Sequence, residues 1–166
     1  MVNKTSLTRP NDREMVITRM FDAPRELVWK AWTTPEQIEK WWGPNGFTTT
    51  SGEMDVKPGG SWRLVMHGPD GRNYHNRIMY LEVVKPERLV YKHAGNEKGD
   101  EPVHFSVTVT FEMLGKQTKL TMRMQFDSAA SLEHVINTYS ADKGAVQTIT
   151  RLAEYLVSPA VFARND

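Results

Sequence analysis

The feature that most constrains this chain is its last thirty or so residues, read against what precedes them. From Gly144 onward, apolar residues fall at Val146, Ile149, Leu152, Ala153 and Leu156, which is one face of a helix. The segment before repeats the pattern at Leu132, Val135, Ile136 and Tyr139. Ser140, Asp142, Lys143 and Gly144 interrupt the stripe. The spacing predicts a short helix, a break, and a longer amphipathic helix. Almost everything between Phe47 and Phe126 reads as strand. A long amphipathic helix needs an apolar surface to lie on, and a curved antiparallel sheet supplies one.

The strands follow one another at short intervals between turn residues. Predicted spans are Glu14 to Phe21, Phe47 to Val56, Ser61 to His67, Asn73 to Val84, Arg88 to His93, His104 to Leu114 and Lys119 to Phe126. After the first strand, Asp22-Ala23-Pro24 opens a short helix with Leu27, Val28, Ala31 and Trp32 as its apolar stripe. Thr34-Pro35-Glu36-Gln37 opens another through a predicted capping box, with Ile38, Trp41 and Trp42 on its apolar side and Gly43-Pro44 as its stop. This order does not alternate strand and helix as parallel sheets require. The predicted class is α+β: an antiparallel sheet of about six to seven strands wrapped around a long C-terminal helix. The expected organisation is a loose segment over 1–12, one domain over 13–158 and a tail over 159–166. Ala94 to Pro102 reads as a mobile surface loop.

Composition narrows the function classes. A chain of 166 residues suits one domain with a substantial core. The formal net charge of +1 supplies no field that would favour nucleic acid or an anionic membrane, and nucleic acid is not an expected partner. There are no cysteines, which excludes disulfides, thiol catalysis and thiolate metal sites and fits a cytoplasmic location. Met1 to Asp12 is polar, so no signal peptide is expected, and no stretch approaches the roughly 18 apolar residues of a membrane span. No cofactor is expected.

Several blocks, in order, resemble one family. Ile17-Thr18-Arg19-Met20-Phe21-Asp22-Ala23-Pro24-Arg25-Glu26-Leu27-Val28-Trp29 is similar to the opening signature of the activator of 90-kDa heat-shock protein ATPase homologues. The resemblance continues through Ala31-Trp32-Thr33-Thr34-Pro35, Trp41-Trp42-Gly43-Pro44 and Asp55-Val56-Lys57-Pro58-Gly59-Gly60 with Trp62. It extends to Gly68-Pro69-Asp70-Gly71, Leu81-Glu82-Val83, Pro86-Glu87-Arg88-Leu89-Val90-Tyr91, Gln147-Thr148 and Arg151-Leu152-Ala153. That family belongs to the START-like, or SRPBCC, superfamily. The resemblance implies the helix-grip fold of the birch-pollen allergen and a groove or cavity between sheet and long helix. Superfamily members bind lipids, sterols, polyketides or other apolar ligands; some are cyclases or aromatases, and some bind the chaperone. Fold alone does not choose among these.

Three residue sets are candidates for chemistry. The first is an apolar lining of Trp32, Trp41, Trp42, Trp62, Met66, Met122, Met124 and Phe126, with Tyr139, Val146 and Ile149 from the helix. Bulky aromatics and flexible methionines suit a flat apolar ligand, although cores use the same residues. The second is the histidines, His67, His75, His93, His104 and His134. Three of them, His67, His75 and His93, stand at strand ends where they can approach one another as acid or base. No His spacing supports a metal site, and surface histidines are the plainer reading.

The third set is polar groups among apolar neighbours: Arg63, Asn76, Arg77, Tyr80, Tyr91 and Arg123. One residue of register slip swaps every face of a strand. Either Arg77, Met79 and Leu81 point inward, or Asn76, Ile78 and Tyr80 do. An inward Arg or Tyr would fix a ligand's carboxylate or hydroxyl; the plainer reading is cross-strand pairing on the surface. The leading expectation is a small-ligand binder, monomeric or homodimeric, holding an apolar or aromatic molecule between sheet and C-terminal helix. Its ligand-binding set is Trp32, Trp41, Trp42, Trp62, Met66, His67, Arg77, Met79, Tyr91, His93, Met122, Met124, Phe126, Tyr139, Val146 and Ile149. The alternatives are a cyclase-, aromatase- or hydrolase-like enzyme using the same cavity, and a protein that binds a chaperone.

Overall fold

A computed structural model describes residues 4–96 and 105–158. The tail over 159–166, His104 and most of the expected 94–102 loop lie outside the described residues.

The elements run β1 (Ser6–Asn11), β2 (Glu14–Phe21), α1 (Arg25–Thr33), α2 (Pro35–Ile38), β3 (Thr48–Met54), β4 (Ser61–His67), β5 (Asn73–Val84), β6 (Arg88–Asn96), β7 (Phe105–Leu114), β8 (Gln117–Phe126), α3 (Ala129–Tyr139) and α4 (Ala141–Leu156). One eight-stranded antiparallel sheet has the order β1-β2-β8-β7-β6-β5-β4-β3. The sheet curves around the C-terminal helices, and the architecture is the expected α+β helix grip with one strand more than the upper count. The additional strand is β1. The polar Ser6–Asn11 carries no alternating apolar pattern and read as a loose start, yet it pairs with β2 and sets Leu7 opposite Ile17. Pro10 is tolerated because β1 lies at the sheet's edge.

Strand alternation assigns the faces. Met15 and Ile17 of β2, Trp62 and Leu64 of β4, Leu89 and Tyr91 of β6, Val107, Val109 and Phe111 of β7, and Leu120, Met122, Met124 and Phe126 of β8 are buried on the inner face. The C-terminal helices cover only part of that face. α4 lies on β1 and β2, and α3 on β8. Ile149 and Leu152 are fully buried there, beside Met15 and Ile17. α1 packs on β7 and β8, α2 packs against β3, and the two short helices pack on each other.

The break in the helix stripe falls on one residue. Ser140 takes a left-handed conformation at φ 53, ending α3 and starting α4 in a single step. α3 begins at Ser128, whose hydroxyl accepts from the Ser131 N–H, a side-chain N-cap. The capping box expected at Thr34 does not form, because its side chain makes no cap bond. Pro35 still occupies the first helical turn.

Candidate functional site

All five tryptophans of the chain gather in one cluster at the α1–α2 end of the inner face. Trp32 meets Trp41 at 4.9 Å between ring centroids, Trp42 at 5.8 Å and Phe111 at 6.1 Å, each edge to face. Trp42 meets Trp62 edge-on at 5.1 Å, and Trp29 meets Phe111 at 5.4 Å. Edge-to-face pairs add roughly 0.5–1.5 kcal/mol each beyond simple burial.

Within this cluster lies a cavity of about 10 Å³, lined by Trp32, Ile38, Trp42, Trp62, Ile78, Tyr80, Leu89 and Tyr91. That is room for about one water molecule. Its walls come from α1, α2, the turn after α2, and strands β4 to β6. α4 supplies none of them, so this cavity is not between sheet and C-terminal helix. None of its eight lining residues carries a charged side chain.

The polar atoms here divide sharply. Trp41 donates its indole N–H to the Ala31 carbonyl at 3.2 Å, and Trp62 donates to the Ser51 hydroxyl at 2.8 Å. Trp32 Nε1 and the Tyr91 hydroxyl are buried without a hydrogen-bond partner. A buried polar group with no partner at all costs about 1–3 kcal/mol. Burial pushes the Tyr91 phenol far above its ordinary range, with the nearby Tyr80 adding to the shift, and burial raises Tyr80 as well. Both phenols are neutral at physiological pH.

Backbone geometry fixes Tyr80. The Gly59 N–H donates to the Tyr80 carbonyl at 2.8 Å, and the Tyr80 N–H donates to the Gly60 carbonyl at 2.9 Å. A Cβ on Gly60 would stand 2.1 Å from the Asp55 carbonyl oxygen, so only glycine fits. The Val56 to Gly60 turn is thus a clamp on one wall of the cavity.

A latch crosses the cluster's outer side. Arg151 of α4 donates through Nη1 to the Gly43 carbonyl at 2.8 Å and the Pro44 carbonyl at 3.2 Å. The Gln147 side chain accepts from the Asn45 N–H at 3.0 Å. Burial lowers the Arg151 pKa, partly offset by Glu154. Beside this latch, Glu39, Lys40, Thr48, Thr49, Thr50 and Arg151 line an open polar groove of about 460 Å³.

The structure brings Trp32, Trp42, Trp62 and Tyr91 of the sequence-derived set to the cavity. Trp41 is buried behind them against Trp32 and Trp42. Met66 is half-buried beneath Gly43. Met122, Met124, Phe126 and Ile149 are buried but do not line the cavity, Val146 is half-buried, and Tyr139 is 47% exposed.

The open register of β5 resolves with Ile78 and Tyr80 inward. Arg77 and Met79 therefore stand on the outer face, with Met79 37% exposed, which corrects the placement of both as lining. The three strand-end histidines do not converge. His67 and His75 are on the outer face, where His67 bonds Thr50 at 2.8 Å and Asn73 at 2.7 Å. His93 is inward, stacked on Phe105 at 4.9 Å. No metal-binding cluster forms among the described residues.

The ligand-binding set read from the sequence leaves out Ile38, Ile78, Tyr80 and Leu89, although Ile78 and Tyr80 belonged to one of the two inward alternatives for β5. Ile38 was legible as a neighbour of Trp41 and Trp42. Ile78 and Tyr80 needed the register of β5, which its two irregularities against β6 obscure.

Fold and site together define a START-like helix-grip domain with a tightly packed aromatic interior. Residues 22–157 match the family described as Activator of Hsp90 ATPase homolog 1-like protein, and the chain belongs to that family. Among solved structures, one from Arthrobacter aurescens is similar at 26% identity, covering 93% of this chain and 92% of its own, with a TM-score of 0.86. A Mycobacterium smegmatis protein shares 26% identity over 93% of this chain and 97% of its own, with a TM-score of 0.81. A Nitrosomonas europaea protein shares 25% over 90% and 97%, with a TM-score of 0.77. No curated protein matches the chain at a significant level. Among the described residues, no helix is long and apolar enough to cross a membrane.

Proposed function

We propose that the protein binds a small apolar or aromatic ligand in the tryptophan-lined interior, with α1, α2 and the Gly43 to Phe47 loop as the movable wall. The observation that supports this most is that two residues lining one uncharged cavity, Trp32 and Tyr91, each carry a buried polar atom with no partner in the protein. A domain whose interior served only packing would gain by having phenylalanine at Tyr91. In the closed state the cavity admits about one water, so a larger ligand has to part the aromatic walls and favours an opened state. The Arg151 latch is where that opening is resisted.

Native mass spectrometry of freshly purified protein, followed by extraction of any released compound, tests the reading. The expected result is a co-purifying apolar molecule, lost in Trp62→Ala. Unchanged ligand affinity in Trp62→Ala, together with reduced stability, would make Trp62 a packing residue only.

A second reading is favoured by the tightness of the same interior. With little empty volume at the core and Met79 and Leu81 exposed on the outer face of β5, the domain would act by binding another protein, as the family description suggests. Pull-down with a 90-kDa heat-shock protein separates the two: retention that survives Trp62→Ala but not Leu81→Asp supports the partner.

A further inference from the structure

Resting on the ligand reading above, we infer that Trp32 and Tyr91 select the ligand: the cavity takes a neutral molecule that presents a hydrogen-bond acceptor from an apolar body, and it rejects anions. Four observations carry this. Trp32 Nε1 can only donate, and its N–H is buried without a partner. The Tyr91 hydroxyl is likewise buried and unpartnered, and it can donate to the same kind of acceptor. Both residues line one cavity. The remaining lining residues are Ile38, Trp42, Trp62, Ile78, Tyr80 and Leu89, so no cation stands ready to neutralise a carboxylate, phosphate or sulfate.

The closed cavity has room for about one water, whose oxygen would occupy the place of the ligand's acceptor. A carbonyl oxygen entering there accepts from Trp32 Nε1 or from the Tyr91 hydroxyl, neither of which has a partner within the protein. A hydrocarbon of the same shape leaves both unsatisfied, and a carboxylate adds an uncompensated buried charge. Selectivity then comes from the protein's own unsatisfied donors rather than from shape.

Three probes of closely similar shape test this: 2-isopropenylnaphthalene, 2-acetylnaphthalene and 2-naphthoate, titrated calorimetrically at pH 7 into the full chain. The ketone should bind at least about tenfold tighter than the hydrocarbon, and the carboxylate weakest of the three. In Tyr91→Phe, and separately in Trp32→Phe, the ratio of ketone to 2-isopropenylnaphthalene affinity should shrink, whatever the variant does to the hydrocarbon's own affinity. Each variant is its own control for folding, because the readout is a ratio of two affinities. Equal affinities for ketone and hydrocarbon, or an advantage kept in both variants, overturn the selection by Trp32 and Tyr91 but leave the cavity as a binding site. Tightest binding of the carboxylate overturns it too, with the same consequence. Binding of none of the three removes the ligand reading itself.

Discussion

The two halves of the sheet's inner face use the same kinds of residue to different ends. Over β1 and β2, α4 lays Ile149, Leu152 and Leu156 onto Met15 and Ile17, and all five are at most 4% exposed. The polar side chain nearby, Arg19, is half-buried: its Nη1 donates to the Thr5 hydroxyl, which in turn meets Thr150, while its Nε is buried without a partner. Over β4 to β6 the cover comes instead from two short helices and a turn, and it closes over a small cavity with two unpartnered buried polar groups. A helix of 16 residues presents a continuous stripe that fills its half. A four-residue helix followed by the Trp41-Trp42-Gly43-Pro44 turn cannot, and rings meeting edge-on leave a gap. One half is filled by its helix; the other keeps a small cavity, and Arg151 ties the turn after α2 to α4.

Substitutions sharpen this contrast. Trp62→Ala in the cavity half should cost about 3–5 kcal/mol of stability in chemical denaturation and also change ligand affinity. Leu152→Ala in the helix half should cost about 2–5 kcal/mol and leave the affinity of the folded protein unchanged. If Leu152→Ala altered affinity as much as Trp62→Ala, the two halves would be one coupled core. Arg151→Ala removes the donor to the Gly43 and Pro44 carbonyls. It should cost about 1–2 kcal/mol and speed ligand association in stopped-flow fluorescence.

Tyr91→Phe should go the other way and stabilise the ligand-free protein by up to about 1 kcal/mol, since it deletes an unpartnered buried hydroxyl. A loss instead would mean that the hydroxyl has a partner in solution. The smallest effect belongs to Glu14, at the start of β2, whose pKa is lowered by hydrogen bonds from Asn11 and from Arg123, which stands 2.9 Å away. A depressed carboxyl stabilises above its unfolded pKa, and that contribution is lost as pH falls through the folded value. Glu14→Gln should therefore destabilise slightly at pH 7, with the difference from wild type vanishing in acid.

Much of the fold was legible because it rests on local patterns. The helix stripe, the strand alternation and the turn residues set the elements, and the interrupted stripe located the break that Ser140 makes. β1 was not legible, because Ser6–Asn11 is an edge strand with one half-buried apolar side chain and carries no period. The site was legible only as a residue type. The tryptophans stand out in the sequence, but nothing local says that α1 and α2, rather than α4, face β4 to β6. Nor could alternation alone choose between Arg77 and Ile78, since the strand irregularities and the Gly59-Gly60 clamp on Tyr80 decide it. The unpartnered state of Trp32 and Tyr91 is purely tertiary: Trp41 and Trp62 are the same residue type nearby and have partners.

That last contrast supplies the most direct measurement. Two-dimensional ¹H–¹⁵N spectra resolve the five indole N–H groups, followed while 2-acetylnaphthalene is added. The account predicts a large downfield shift of the Trp32 indole proton as it gains an acceptor, with the Trp41 indole, already bonded to Ala31, nearly still. An unmoved Trp32 resonance, with shifts confined to the backbone of Met79 and Leu81 on the outer face, would contradict it.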